Sequence, residues 1–192
     1  MRRVISVLFG AIMILVPVYG QTKQGTYIAS EEVQAFLKRV EGSAVSDQQV
    51  RALNVGKTNV AIGVVYRGKL AAPGKQTVAE HDQVSEVYHI IDGTATLVTG
   101  ADIVDLKPRP ADDRAVRLLN GPGGNGASIR NGVTYQLKAG DVVVIPAGVG
   151  HLFTRIDDHI RYLMVRIDPD RVAPLKDAAA AQADLKSGGA GN

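Results

Sequence analysis

From Asn59 onward the chain is punctuated in a way that leaves few folds open. Short β-rich runs recur at residues 60–66, 86–91, 94–98, 133–137, 142–145, 151–155 and 161–167. Each is too short for an ordinary helix and carries the β-branched residues that fit a pleated surface. Turn residues separate them: Asp92-Gly93 and Lys138-Ala139-Gly140-Asp141. Repeated turn signals at roughly 8–12-residue spacing point to antiparallel strands closed into a sandwich or barrel. Asp-Gly between two strands predicts a hairpin at Asp92-Gly93.

The ends read differently. Residues 1–20 combine Arg2 and Arg3 with an almost wholly apolar run over 4–16, Pro17 and small residues up to Gly20. That layout predicts a secretory signal peptide cleaved near Gly20, and hence an exported protein, periplasmic or secreted. The apolar run is shorter than the roughly 20 residues a spanning helix needs, so no membrane span is expected after cleavage. Residues 21–58 read as a helical leader. Ser30 is placed as N-cap, Glu31 and Glu32 suit the first turn, and Val33, Phe36, Leu37 and Val40 share one face. Residues 46–53 are expected to add another helical turn. Residues 59–168 form the predicted barrel, interrupted by an insertion at about 101–132. Residues 169–192 form a flexible tail, Ala/Gly-rich from Ala178.

Composition removes several function classes. The chain has 192 residues, which suits one domain, and no cysteine, which excludes disulfides and thiol chemistry. Loss of the first twenty residues takes away Arg2 and Arg3 and no acid, so the net charge falls from +3 to +1. No basic cluster or aromatic-interleaved stripe suggests nucleic-acid binding. There is no Gly-x-Ser-x-Gly elbow, and the 121–126 glycine run lacks the Lys-Ser/Thr of a phosphate loop.

Four histidines are present: His81, His89, His151 and His159. Glu86 opens an apolar strand, where a carboxylate needs a partner. The stretch GDVVVIPAGVGH resembles the second motif of the cupin family, with Gly140, Pro146, Gly148 and His151 at the family's spacing. The stretch HDQVSEVYHIIDG is similar to the first cupin motif in part. Glu86 and Gly93 fit it, and His81 fits its second histidine. The first histidine would fall at Ala79, which cannot bind metal.

The resemblance implies an all-β fold, an antiparallel double-sheet jelly-roll barrel with a short N-terminal helical segment. It also implies a site at the barrel mouth reduced to three metal ligands, His81, Glu86 and His151. Two imidazoles and a carboxylate suit a divalent metal: iron, manganese, zinc, nickel or copper. Strand alternation puts Glu86, Tyr88 and Ile90 on one face and His89 on the other, so His89 is a poor ligand. Tyr88 then stands near the site as a candidate to orient substrate. Asp82 and Gln83 read as loop residues, His159 as a surface turn, and Arg161 and Arg166 as solvent-facing or edge positions.

Three functions stay open. One is a metal-dependent enzyme acting on a small molecule by oxygenase-, isomerase- or lyase-type chemistry. The second is a metal-free barrel that binds a small ligand. The third is a barrel serving chiefly to form a homodimer, with the leader as its surface.

Overall fold

The structure is a computed structural model that describes residues 24–42, 45–71 and 77–187. The signal peptide expected over 1–20 lies outside the described residues. Helix α1 (Ser30–Val40) is followed by β1 (Val45–Asn54), β2 (Asn59–Leu70), β3 (Val78–His81) and β4 (Ser85–Gly100). The expected insertion contributes β5 (Asp102–Val104), β6 (Lys107–Pro108), a π-helical turn (Val116–Asn120), β7 (Gly123–Gly126) and β8 (Ser128–Arg130). Strands β9 (Val133–Lys138), β10 (Val142–Ile145) and β11 (Gly150–Asp168) lead to helix α2 (Ala178–Lys186). No helix among the described residues is long and apolar enough to cross a membrane.

Two long strands hold the barrel together. β4 and β11 pair antiparallel from Ser85–Ile167 to Gly100–Gly150. Beside the first half of β4 lies β10, and beside the second half lies β9. Beyond β11, its C-terminal half pairs with β2 and then β1, while its start meets β3, which pairs with β7, and β7 in turn with β6. The two halves of the β4–β11 pair therefore belong to two faces of one antiparallel double-sheet barrel, as the strand rhythm predicts.

The predicted hairpin at Asp92-Gly93 is a bend instead, because β4 runs straight through it. Gly93 sits at φ +80°, and a Cβ there would lie 2.0 Å from the His159 carbonyl oxygen. The register of β11 slips between Ile156 and Ile160 at the same place. Gly93 is thus needed for a strand bent against a bulge, not for a chain reversal.

Residues 46–53 are not helical. They belong to β1, which pairs with β2 from Val45–Arg67 to Asn54–Asn59. Its polar side chains disguise it: Ser46, Gln48, Gln49 and Arg51 are all buried. Arg51 is held by Glu32 of α1, one contact being 2.7 Å. Helix α1 forms as expected but starts at Ser30, with Ala29 at the cap position and no side-chain cap. The described residues of the tail are docked on the barrel. Lys176 and Ala52 exchange two backbone hydrogen bonds of 2.9 Å, and Asp177 caps α2 by accepting from the Ala180 N–H.

Two apolar clusters result. Tyr88, Ile90, Leu97, Phe153, Ile160 and Tyr162 belong to the barrel interior. Phe36 and Leu37 of α1, Val50, Val64 and Ala181 of α2 form a second cluster outside the sheet. Each large side chain so buried contributes about 1.5–3 kcal/mol.

Candidate metal centre

Three backbone segments bring the site together. His81 ends β3, Glu86 is the second residue of β4 and His151 the second of β11. The turn before His151 is tied to the other two. The Gly148 N–H donates to the His81 carbonyl at 2.8 Å, and the Ala147 N–H to Ser85 Oγ at 3.0 Å. Gly148 adopts φ +76°, the left-handed conformation that glycine takes without penalty. The Pro146–Gly148 spacing therefore serves a turn that locks His151 to the strand ends bearing His81 and Glu86.

The three side chains converge. His81 Nε2 lies 3.4 Å from Glu86 Oε1, and His151 Nε2 lies 3.7 Å from Glu86 Oε2. One ligand atom from each residue falls within 4.8 Å of the others. Metal bonds of roughly 2.0–2.2 Å put neighbouring donors about 3.0–3.5 Å apart, so the set is close to the spacing a cation imposes. Exposure is 2% at Glu86, 4% at His151 and 8% at His81. His81, Glu86 and His151 are thus a group that could hold a metal.

The protonation states suit that role. Burial opposes ionisation of Glu86, but His81, then His151 and Arg166, outweigh it and hold the carboxyl well below its ordinary range. Burial pushes His151 down to about 4, against the pull of Glu86 and with help from His81 and Arg67. At neutral pH His151 is neutral and its lone pair is available. Burial raises the Tyr88 hydroxyl well above its usual value, and the Glu86 charge adds to this, so Tyr88 remains a donor.

Around the three ligands stands a set of supporting groups. Tyr88 Oη donates to Glu86 Oε2 at 2.6 Å, and Asn120 Nδ2 donates to Oε1 at 2.7 Å. Arg166 Nε lies 3.5 Å from Oε1, and the same guanidinium pairs with Asp47. Tyr88 is at the site, with its hydroxyl on Glu86. His89 is exposed on the outer face, as alternation predicts. Ala79 pairs in register with His151 and lines the cavity where a further histidine would stand. Gln83 turns outward to Asp170 at 3.3 Å.

Three expectations change. Arg166 is not solvent-facing: it is 1% exposed, in line with the inward Tyr162 and Met164 of β11, and that alternation is the signal that could have placed it. Arg161 is half-buried against Asp92, its Nε donating at 2.8 Å. His159 lies within β11, stacked on Tyr66 at 5.8 Å and 3.2 Å from Asp92. Asn120 carries no local sequence signal. Its position follows from the π-helical turn and from Gly121, whose φ is +65° and whose Cβ would lie 2.2 Å from Val172.

A cavity of about 390 Å³ opens beside the ligands. Its walls include Arg67, Arg114, Asn120 and Tyr162, with apolar surface from Val65, Leu119 and Met164.

Residues 123–186, a segment that includes His151, match the AraC-like ligand binding domain family. No curated protein matches the chain. Among solved structures the chain is similar to a Bacillus halodurans protein, at 12% identity and a TM-score of 0.44, covering 85% of this chain and 98% of that one. It is also similar to the DMSP lyase DddQ from Ruegeria pomeroyi, at 16% identity and a TM-score of 0.38, covering 79% and 56%. A Schizosaccharomyces pombe cupin domain is a third, at 12% identity and a TM-score of 0.37, covering 64% of each chain. The family match covers a third of the chain, and together with the antiparallel double-sheet barrel and the Gly140–His151 turn motif it supports a likeness to the cupin superfamily.

Proposed function

We propose that this protein is an exported cupin that holds a divalent metal at His81, Glu86 and His151 and acts on a small molecule in the adjoining cavity. The observation that carries this reading is the convergence of both histidine Nε2 atoms on one ionised, buried carboxylate. When bound, such a metal supplies Lewis acidity to substrate oxygens, the basis for oxygenase-, isomerase- or lyase-type chemistry. The chain supplies the rest. Asn120 and Tyr88 orient Glu86, and Ala79 leaves the face beside His151 without a fourth protein ligand. Outer hydrogen bonds of this kind fix the orientation of ligating groups.

Metal content tests it. Protein purified without a His-tag and reconstituted with iron, manganese, zinc, nickel or copper should retain close to one equivalent of one of them. Retention below about 0.1 equivalent of every metal overturns the reading.

A metal-free ligand-binding barrel is the second reading, and one observation favours it. Both Glu86 oxygens already accept short hydrogen bonds, from Tyr88 and Asn120. On that reading His151→Ala leaves ligand affinity and melting temperature almost unchanged. On the first, it abolishes metal retention.

Export belongs to the same proposal and rests on residues 1–20. Mass spectrometry of protein from the producing cell should give a mature N-terminus near Gln21, outside the cytoplasm. Homodimerisation is retained with it, and mass in solution checks that. Deleting the leader is not a suitable check, because β1 is a strand of the main sheet.

A further inference from the structure

We infer that the cavity receives a small molecule bearing a carboxylate, with Arg67 as the group that anchors it and Arg114 as a second cation on the same wall. This deepens the small-molecule reading of the cavity and rests on it. It does not depend on which metal is held.

The inference begins with two arginines that lack a counter-ion. By contrast Arg161 is matched by Asp92 and Arg166 by Asp47, while Arg109 spends its guanidinium on the Glu80 carbonyl and on Asn125 Oδ1. Arg67 forms no ion pair among the described residues. Its Nε donates to Tyr162 Oη at 3.1 Å, and its guanidinium lies 4.7 Å over the Phe153 ring. No hydrogen bond is made by Nη1 or Nη2 to a described residue, yet neither is sealed from solvent. Among the described residues Arg114 reaches only the Asp47 backbone carbonyl, at 3.4 Å. Both arginines line the cavity that holds His81, Glu86 and His151.

A guanidinium stripped of most of its water and left without an anion is costly unless a partner arrives. Tyr162 and Phe153 fix the Arg67 fork while leaving its outer edge free. That edge matches a carboxylate through two parallel hydrogen bonds. Burial works against the Arg67 charge, but Tyr162 and more distant negative groups keep it firmly protonated. Arg67 lines the same cavity as His81, Glu86 and His151. A ligand in that cavity can therefore meet both Arg67 and the three side chains.

Charge balance narrows the anion. Arg67, Arg114 and Arg166 face Asp47 and Glu86, which leaves one positive charge in surplus. In the protein holding no metal, one carboxylate cancels that surplus, whereas a doubly charged phosphate exceeds it. Val65, Leu119 and Met164 give the cavity apolar walls for a short carbon skeleton.

The test uses calorimetric titration of the whole mature protein, both as purified and after stripping with chelator. Butyrate and benzoate are the probes, butyramide and benzamide their neutral counterparts, and inorganic phosphate the competing anion. The acids should bind and the amides should not. Arg67→Met should weaken acid binding by about tenfold or more, with Arg67→Lys intermediate and Arg114→Met showing a smaller loss. Retained metal should be the same in wild type and all three variants.

Four results overturn the inference: equal binding by Arg67→Met, equal binding of acid and amide, phosphate binding the stripped protein at least as tightly as the acids, or no acid binding below about 10 mM. If Arg67→Met melts well below wild type, Arg67→Lys and Arg114→Met decide on the same criteria. Acid binding that depends on Arg67 in protein holding no metal keeps this inference and removes the metal reading. Full metal with acid binding indifferent to Arg67 and Arg114 does the reverse.

Discussion

Glu86 is the residue on which the site turns, because two hydrogen-bond donors, one guanidinium and two imidazoles meet at one carboxylate. Glu86→Gln keeps the shape and removes the charge, so metal retention should be lost while the fold persists. Asn120→Ala leaves the three ligands in place but frees Glu86 Oε1, and should lower metal affinity about 10–100-fold. Metal titration with a competing chelator measures both. Acid sensitivity is the second consequence. His151 is held at about 4, against 6.5 in an unfolded chain, so between those values the unfolded state binds the extra proton. Stability of the metal-free protein should therefore fall as pH drops from about 6.5 to about 4, by about 3 kcal/mol from this residue. Glu86, held low when folded, adds to the fall in the same direction at still lower pH. Urea unfolding at several pH values should show this slope, and His151→Gln should remove the part contributed above about pH 4. The three converging side chains were legible in the sequence, since fixed spacing to Gly93, Pro146 and Gly148 singles out His81, Glu86 and His151. Asn120 was not, because its nearness to Glu86 depends on how a 32-residue insertion folds back.

At the scale of single elements, strands were legible where alternation was apolar and illegible where it was polar. β4 and β11 show their inward rows openly, as Tyr88 and Ile90 or as Tyr162 and Met164. β1 hides its row behind Ser46, Gln48, Gln49 and Arg51, side chains buried by partners that local sequence does not reveal. Asp92-Gly93 misleads for a related reason: the left-handed residue that closes a hairpin can also bend a continuous strand. Two glycines separate the contributions of strain and space. Gly140 adopts φ +86° with nothing within 4 Å of a Cβ, so Gly140→Ala should cost only the backbone strain, about 1–2 kcal/mol. Gly93 adds contact with the His159 carbonyl carbon at 2.8 Å and oxygen at 2.0 Å, all backbone, which cannot move without breaking the β4–β11 pair. Gly93→Ala should cost at least twice as much, in the range of about 3–5 kcal/mol, by thermal or urea unfolding.

On the scale of the whole molecule, the two chain ends complete the sheet that carries the site. α1 and α2 lie against the outer face of the sheet formed by β1, β2, β11 and β4, with Ile91 and Leu163 turned toward Phe36 and Ala181. Charge ties the ends to each other. Asp184 of α2 is paired with Lys176 and, at 3.2 Å, with Arg39 of α1, while Lys176 stands 5.0 Å from the Phe36 ring. Ala/Gly-rich composition reads as a frayed tail because local periodicity does not report docking at long range. Here the small size of Ala181 is what admits the helix, since its side chain is fully buried against the cluster. A carboxylate at that position has no room in the apolar cluster. Ala181→Asp should therefore destabilise the protein by about 2–4 kcal/mol, through loss of α2 docking and desolvation of the new charge. Removal of residues 174–192 should do at least as much, because it also breaks the Ala52–Lys176 backbone pair and uncovers Phe36. Because α2 touches none of the three ligands, Ala181→Asp should keep its metal equivalents below its lowered melting temperature. Loss of metal from a fully folded Ala181→Asp variant would show instead that the outer layer and the barrel mouth are coupled through β1 and β11.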